Sequence, residues 1–430
     1  MNFIDKYFQI SERKSNVKTE IGAGTATFMT MAYILIVHPM IMKSAGMPAN
    51  QVFTVTTLMS GIFSFLMGIY AKLPFALAPA MGSNAFLALT LVGSGTITWQ
   101  QGLAMNLVSG IVFLIMSLFG FREVIVKFLP KSLKLGVGAT VGIFLIELGF
   151  SSGQIMNLSK GSISIGSFSN PVMLTSVLGV FITMILVARK VKFDMLWGII
   201  ITTIIGIPLG VTQLPERFIS LPSGISDIAF QLDFSHILSI KVLPILFVFF
   251  VGDFFSTLGT LLGVSEKAGL LDENGDLPEI QKPFTVDALG TVVGAIFGTT
   301  TITTFVESAA GVGAGGRTGL TAIVTSLFFF LSLFFSPIAL MIPAAATAPV
   351  LIIMGIMMLS GLRYVDYDNF TDSFPVFFMI VVTAFTNSIS NGVGVGIIAY
   401  ALIKTSIGKW REVGIGLYIL AIIMVFYFIN

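Results

Sequence analysis

The chain has 430 residues, 55% of them hydrophobic and only 10% charged, with a formal net charge of +2; soluble domains carry about 25% charged residues. So few polar side chains cannot cover a water-soluble globule of this length, and the near-neutral charge gives no reason to expect nucleic acid as a partner. There is no cysteine, which excludes disulfides, thiol catalysis and thiolate metal sites. The two histidines, His38 and His236, belong to no HExxH pattern, so neither a metal nor a cofactor is expected. What remains is a lipid bilayer, crossed by segments of roughly 20 apolar residues each.

The first twenty residues, MNFIDKYFQISERKSNVKTE, are polar and mixed in charge. They lack the short apolar core of a cleavable signal, so the first span is expected to be retained. Apolar runs predict spans at 21–42, 50–70, 79–92, 99–120, 130–150, 171–188 and 192–211. A polar break from Gln213 to Lys241 follows. Further spans are predicted at 241–263, 285–300, 304–314, 317–338, 343–360, 371–388 and 391–406. A last run, 412–429, reads equally as a fifteenth span or as an interfacial helix. With the N-terminus placed in the cytoplasm, only Lys43, Lys160, Arg217 and Lys241 of the 23 Lys and Arg residues fall outside. That is a strong positive-inside bias and sets the orientation.

Seven spans before the break mean that the second seven enter from the opposite side, the setting for an inverted repeat. The third span of each half, 79–92 and 304–314, is too short to cross as a helix. Extended-looking residues precede each one: Leu73-Pro74-Phe75 with Pro79, and Thr299-Thr300-Thr301 with Thr303-Thr304. Interrupted segments in matching positions point to a binding site at the midplane. Helices that begin there leave free N–H groups and a positive dipole end, which suits a flat polar ligand rich in acceptors. The glycine run GVGAGG at 311–316 lacks the strand–turn–helix context of a phosphate loop and reads as close packing.

Charges in hydrocarbon are costly and usually functional. Three acids lie well within the predicted spans: Glu147, Asp253 and Glu307. Glu147 is near an outer span end and reads as structural or interfacial. Asp194, Asp287 and the acidic linker from Glu266 to Glu279 fall at span ends or in loops, where a solvated surface explains them. Asp253 shares a helical face with Ser256 and Thr260. Asn84, in APAMGSNAFLAL, holds the repeat position that corresponds to Glu307, and the 54-residue interval from Asp253 to Glu307, taken back from Asn84, lands on Thr30. Thr30, Asn84, Asp253 and Glu307 are therefore expected near one midplane, although purely structural carboxylates bonded to backbone or hydroxyls are the alternative. Phe28, Phe86 and Phe305 could stack on a base; with 40 phenylalanines in the chain, ordinary packing accounts for each as well.

Five segments carry a family resemblance: TEIGAGTATFMTMAYILIVHP (19–39), LAPAMGSNAFLAL (77–89), GDFFSTLGTLLGV (252–264), ESAAGVGAGGRTGLTAI (307–323) and FSPIALMIPAAATAPVLI (335–352). With these motifs the chain resembles the AzgA-like purine permeases, a branch of the nucleobase–ascorbate transporter superfamily, from about Lys18 to the C-terminus. The resemblance implies an all-α polytopic membrane protein of the uracil-permease-like fold: a seven-plus-seven transmembrane inverted repeat with short strand and half-helix elements in spans 3 and 10. It implies a cytoplasmic N-terminus (1–20), core-domain spans 1–4 (21–120), gate-domain spans 5–7 (121–212), an extracytoplasmic linker (213–240), core spans 8–11 (241–338), gate spans 12–14 (339–406) and a C-terminal hydrophobic segment (407–430). Members resemble proton symporters for adenine, guanine or hypoxanthine, and their gate domains mediate dimerisation. Their substrate contacts match Asn84, Asp253 and Glu307. Ser256 departs from the pattern, standing where typical members carry a second acid. His38 stands where Asn is more usual and receives no role.

The expected activity is import of a purine nucleobase with a proton through alternating access in the cell membrane, not an enzymatic reaction. Glu307 is the first choice for purine contact, and Asp253 and Glu307 for proton coupling. Asn84 would hold Glu307 or the core helices, with Ser256, Thr30, Phe28 and Phe86 also at the site. A neutral carboxylic acid is both donor and acceptor and matches a purine edge. Uracil, xanthine or ascorbate as substrate and Na⁺ as coupling ion remain open. Two acids at the site disfavour an inorganic anion. An intramembrane aspartyl protease finds only a faint echo in Gly252-Asp253 and Tyr367-Asp368, and a channel fits two opposed half-helices less well than a carrier does.

Overall fold

The computed structural model describes residues 3–119, 130–159, 162–235, 237, 239, 242–272, 277–386 and 388–429. Arg122, Lys127, Lys160, His236 and Lys241 lie outside them. Polar residues that end the loops start several helices. Asn16 accepts the amide of Thr19 and opens α2 (Val17–Met31), after the short α1 (Phe3–Phe8). Thr98 and Gln101 form a reciprocal capping box that opens α6 (Trp99–Leu118), satisfying amides that have no partner within the helix. The first predicted span is broken: α2 ends at Met31, and α3 (Ile34–Ser44) resumes after a turn at Ala32–Tyr33.

Helix α4 (Ala49–Leu66) ends in a widened turn at Met67–Ala71. The third predicted span is then strand β1 (Leu77–Pro79), the short α5 (Met81–Ala85) and widened turns to Val92. After α6 come α7 (Lys131–Ser152), the hairpin β2 (Met156–Ser159) and β3 (Ser162–Ile165), then α8 (Pro171–Ala188) and α9 (Asp194–Gly206). The second half opens with α10 (Val242–Ala268) and α11 (Gln281–Phe297). The tenth predicted span is β4 (Ile302–Thr304) followed by α12 (Ser308–Gly313). Helices α13 (Gly319–Ser332), α14 (Ser336–Leu340), α15 (Ala344–Met358), α16 (Phe370–Thr386), α17 (Ile389–Ser406) and α18 (Ile415–Ile429) complete the chain.

Among the described residues nine helical segments are long and apolar enough to cross a bilayer, and α5 with its widened turns, α9, α16 and α18 are shorter apolar helices. The chain is thus an all-α polytopic membrane protein with two strands at its heart. Helices α2 to α6 pack chiefly with α10 to α13, and α7 to α9 with α15 to α17. Backbones touch within each group. A Cβ on Gly142 of α7 would stand 2.7 Å from the carbonyl of Gly355 on α15, so this crossing requires residues without side chains. The glycine run at 311–316 is packed in the same way: a Cβ on Gly316 would meet Thr321 at 2.6 Å, and Gly315 has φ +103°, a conformation that glycine alone adopts freely.

Candidate functional site

Strands β1 and β4 come from opposite halves and pair antiparallel, Leu77 opposite Thr304 and Pro79 opposite Ile302. Each is too short to satisfy its own ends, so neighbours do it. Phe305 N donates to Ala76 O (3.0 Å) and Ala80 N to Thr301 O (2.8 Å). Ser64 Oγ accepts the amide of Leu77 (2.9 Å), and Ser308 Oγ accepts that of Ala76 (3.0 Å). Helices α5 and α12 start just beyond the strands, and no side chain caps either one.

Glu307 is the residue before α12. Its Oε1 accepts the hydroxyl of Tyr33 at 2.6 Å. Tyr33 is fully buried at the break in the first span, so the break serves to aim this phenol at the carboxyl. Glu307 itself is half-buried, and Val306 beside it is 55% exposed. Ser256 on α10 is also exposed.

Asp253 is 2% exposed on α10 and accepts Thr291 Oγ1 of α11 at Oδ2 (2.9 Å). Asp287 is fully buried on α11 and takes three donors: Thr304 N (2.7 Å) and Thr304 Oγ1 (2.9 Å) at Oδ1, and Thr257 Oγ1 of α10 (2.7 Å) at Oδ2. Thr257 in turn accepts from Thr303 Oγ1 at 2.7 Å, because its single proton is already given to Asp287. The two aspartates sit at one contact of α10 with α11, where each accepts a hydroxyl from the other helix. Each helix thus carries Asp and, four residues on, Thr, and each threonine bonds the aspartate of the other helix. Placing Asp287 at a solvated span end was incorrect. Its backbone lies near the loop, but the side chain is needed by an otherwise unpaired strand amide. The shared Asp-x-x-x-Thr spacing, DFFST and DALGT, was the signal in the sequence.

Asn84 is buried on α5, and its Oδ1 accepts Thr300 Oγ1. The neighbouring threonines do likewise: Thr299 bonds His38 Nε2 (2.9 Å) and Thr301 donates to Asn106 Oδ1 (2.7 Å). Asn84 therefore holds the approach to β4; Tyr33, not Asn84, holds Glu307. Asn84 bonds the segment 299–307 directly at Thr300 and Glu307 ends it, whereas Asp253 is linked to it through Thr291, whose Oγ1 also lies 3.3 Å from Ile302 O. The other three make contacts of their own. Thr30 donates to Ala26 O (2.7 Å) within its own helix. Phe28 stacks on Phe328 at 5.3 Å. Phe86 is buried edge-on against Phe249 at 5.0 Å.

Glu147, with Thr90, Ser94, Ser388 and Asn391, lines a cavity of about 830 Å³. It lies where the ends of α5, α7 and α16 approach the start of α10, and none of the seven residues expected at the site borders it. Among the described residues no cluster of His, Asp and Glu could hold a metal ion. The chemistry on offer is that of buried acids and hydroxyls: hydrogen bonding and proton exchange with a small polar ligand.

Residues 18–395 match the Permease family. The chain is 37% identical to the adenine permease AdeQ of Escherichia coli strain K12 over 97% of its own length and 94% of that protein's. It is 36% identical to the guanine/hypoxanthine permease PbuG of Bacillus subtilis over 98% and 99%. Among solved structures, the transmembrane domain of a cyanobacterium bicarbonate transporter, BicA, superposes with a TM-score of 0.66 over 88% of this chain and 97% of that one, at 16% identity; this likeness is one of fold. With its polytopic build, its paired half-spans and full-length relatives of this kind, the chain belongs to the Permease family of membrane transporters.

Proposed function

We propose that the chain imports purine nucleobases, adenine, guanine or hypoxanthine, across the cell membrane by proton symport through alternating access. The observation that carries this reading is Glu307, a carboxyl fixed by Tyr33 at the start of a half-helix beside exposed Val306. A carboxyl so placed can meet the edge of a purine, offering a donor when protonated and an acceptor in either state. Full-length similarity to an adenine permease and a guanine/hypoxanthine permease supports the substrate class. In this reading Asp253 and Glu307 exchange the coupling proton, Asn84 steadies the approach to β4, and Ser256 faces the substrate. The two half-spans belong to a seven-plus-seven inverted repeat with a cytoplasmic N-terminus. Helices α2 to α6 with α10 to α13 form the moving core, and α7 to α9 with α15 to α17 form the gate and the homodimer contact.

Uptake of labelled adenine, guanine and hypoxanthine into cells or proteoliposomes tests the reading. Wild-type protein should accumulate at least one of them, a protonophore should abolish the accumulation, and Glu307→Gln should lose it while still reaching the membrane. Uptake that resists the protonophore but needs Na⁺ would replace the coupling ion. Competition by uracil or xanthine alone would replace the substrate.

A further inference from the structure

We propose that Asp253 and Asp287 together form one proton-binding site, with the proton held on Asp253 and the negative charge on Asp287. Counting hydrogen-bond donors assigns the roles. Asp287 receives three donors, one of them a backbone amide, and this full set suits a carboxylate. Asp253 receives one, from Thr291 at Oδ2, and its buried Oδ1 has no partner. An unpaired carboxylate oxygen in a dry interior beside a second carboxylate is doubly unfavourable; a proton on that oxygen removes both penalties.

No cation supplies the same relief. Among the described residues no Lys, Arg or His pairs with either aspartate. The neighbouring elements α4, α5, α6, β4 and α12 bring one acid near the pair, Glu307, and it is bonded to Tyr33. Tyr70, beyond α4, is half exposed. The other helices that touch α10 bring, among the described side chains, Lys131 and Lys134 in the first turn of α7, Glu147 at the cavity, Tyr400 and Lys404 on α17, with Lys404 bonded to Glu412, and Tyr418 bonded to Thr405.

The step is a simple proton transfer. The O–H bond of Asp253 forms with a proton from water on one side of the membrane and breaks to water on the other, with no other reactant. Loss of the proton leaves two adjacent carboxylates. Their repulsion bears on Thr304, which Asp287 holds by both N and Oγ1, and Thr304 lies three residues before Glu307. Proton release is thereby transmitted along β4 to the residue placed at the purine.

The role in transport rests on the proposed purine–proton symport; the existence of the proton site does not, and two measurements separate them. Infrared titration of wild type, Asp253→Asn, Asp287→Asn and Glu307→Gln in lipid reads protonated carboxyl groups directly. A carboxylic-acid band present at neutral pH should survive in Glu307→Gln, vanish in Asp253→Asn and shift in Asp287→Asn. A band indifferent to both aspartate substitutions overturns the proposal. If an Asn variant fails to fold, Thr291→Val keeps both acids and removes the one donor to Asp253; an unmoved band there overturns it as well. In proteoliposomes, the ratio of proton-driven accumulation to counterflow of labelled adenine should fall roughly tenfold or more in Asp287→Asn, the effect of about one pH unit in proton affinity. An unchanged ratio removes Asp287 from coupling. Wild type without counterflow of any purine would sink the substrate reading and leave the infrared result to decide the pair.

Discussion

At the scale of single residues, a carboxyl gains its chemistry from what points at it. Tyr33 donates to Glu307 at 2.6 Å, and hydrogen bonds to ionisable partners contribute about 1.5–3 kcal/mol. Tyr33→Phe should therefore raise the KM for purine uptake roughly ten- to hundredfold with expression unchanged, as concentration-dependent uptake would show; an unaltered KM would mean that the phenol does not position the acid. Asp253 and Glu307 were legible in the sequence because acids stand out in apolar runs. Tyr33 was not, since TMAYIL reads as one uninterrupted span. Asp287 was passed over because KPFTVD follows a charged linker, although its threonine four residues on repeats the pattern of Asp253. Thr30 donates to Ala26 O on its own helix and stands three residues before Tyr33, the residue that bonds Glu307.

At the scale of elements, the short third and tenth spans were legible from length alone. The break at Ala32–Tyr33 was not, because no Gly or Pro marks it; Pro39 lies within α3. Nor was the fastening of α13. Glu20, fully buried, accepts the amides of Arg317 (3.0 Å) and Thr318 (3.2 Å) and the hydroxyl of Thr321 (2.6 Å). It thus joins the start of α2 to the start of α13, where a negative group also meets the positive helix end. Glu20→Ala should destabilise the protein by about 2–3 kcal/mol, visible as a lower melting temperature in detergent, and Glu20→Gln, which keeps an acceptor, by less. A second fastening closes α16 and α17. Buried Lys404 contacts Asp372 (3.2 Å) and Glu412 (2.9 Å). The hydrogen bond from Lys404 is the main cause that holds Glu412 below the usual glutamate range. A lowered folded value means that this contribution is complete above the ordinary carboxylate range and is lost as pH falls through the lowered value. Melting temperature should therefore drop on acidification more in wild type than in Glu412→Gln; equal drops would show that the contact adds nothing.

At the scale of the whole molecule, two groups of helices pack mainly within themselves and meet at few places. One is Gly82 on α5, where an added Cβ would lie 3.8 Å from the Cβ of Val141 on α7, the mean separation across a disulfide. The chain has no cysteine of its own, so Gly82→Cys with Val141→Cys introduces a single pair. Oxidation should lock α5 to α7 and stop transport, and reductant should restore it; full uptake by the oxidised protein would show that the two groups need not separate here. The same architecture has a consequence for biosynthesis. Strand Leu77–Pro79 has its partner strand in Ile302–Thr304, with Ala80 N donating to Thr301 O and Ala76 O accepting from Phe305 N at its two ends, and bare backbone is costly in a bilayer. The third span must therefore wait, sheltered by neighbouring helices or the insertion machinery, until the ribosome has passed residue 304. The two halves are separate in translation order, yet the first cannot finish folding before the second arrives.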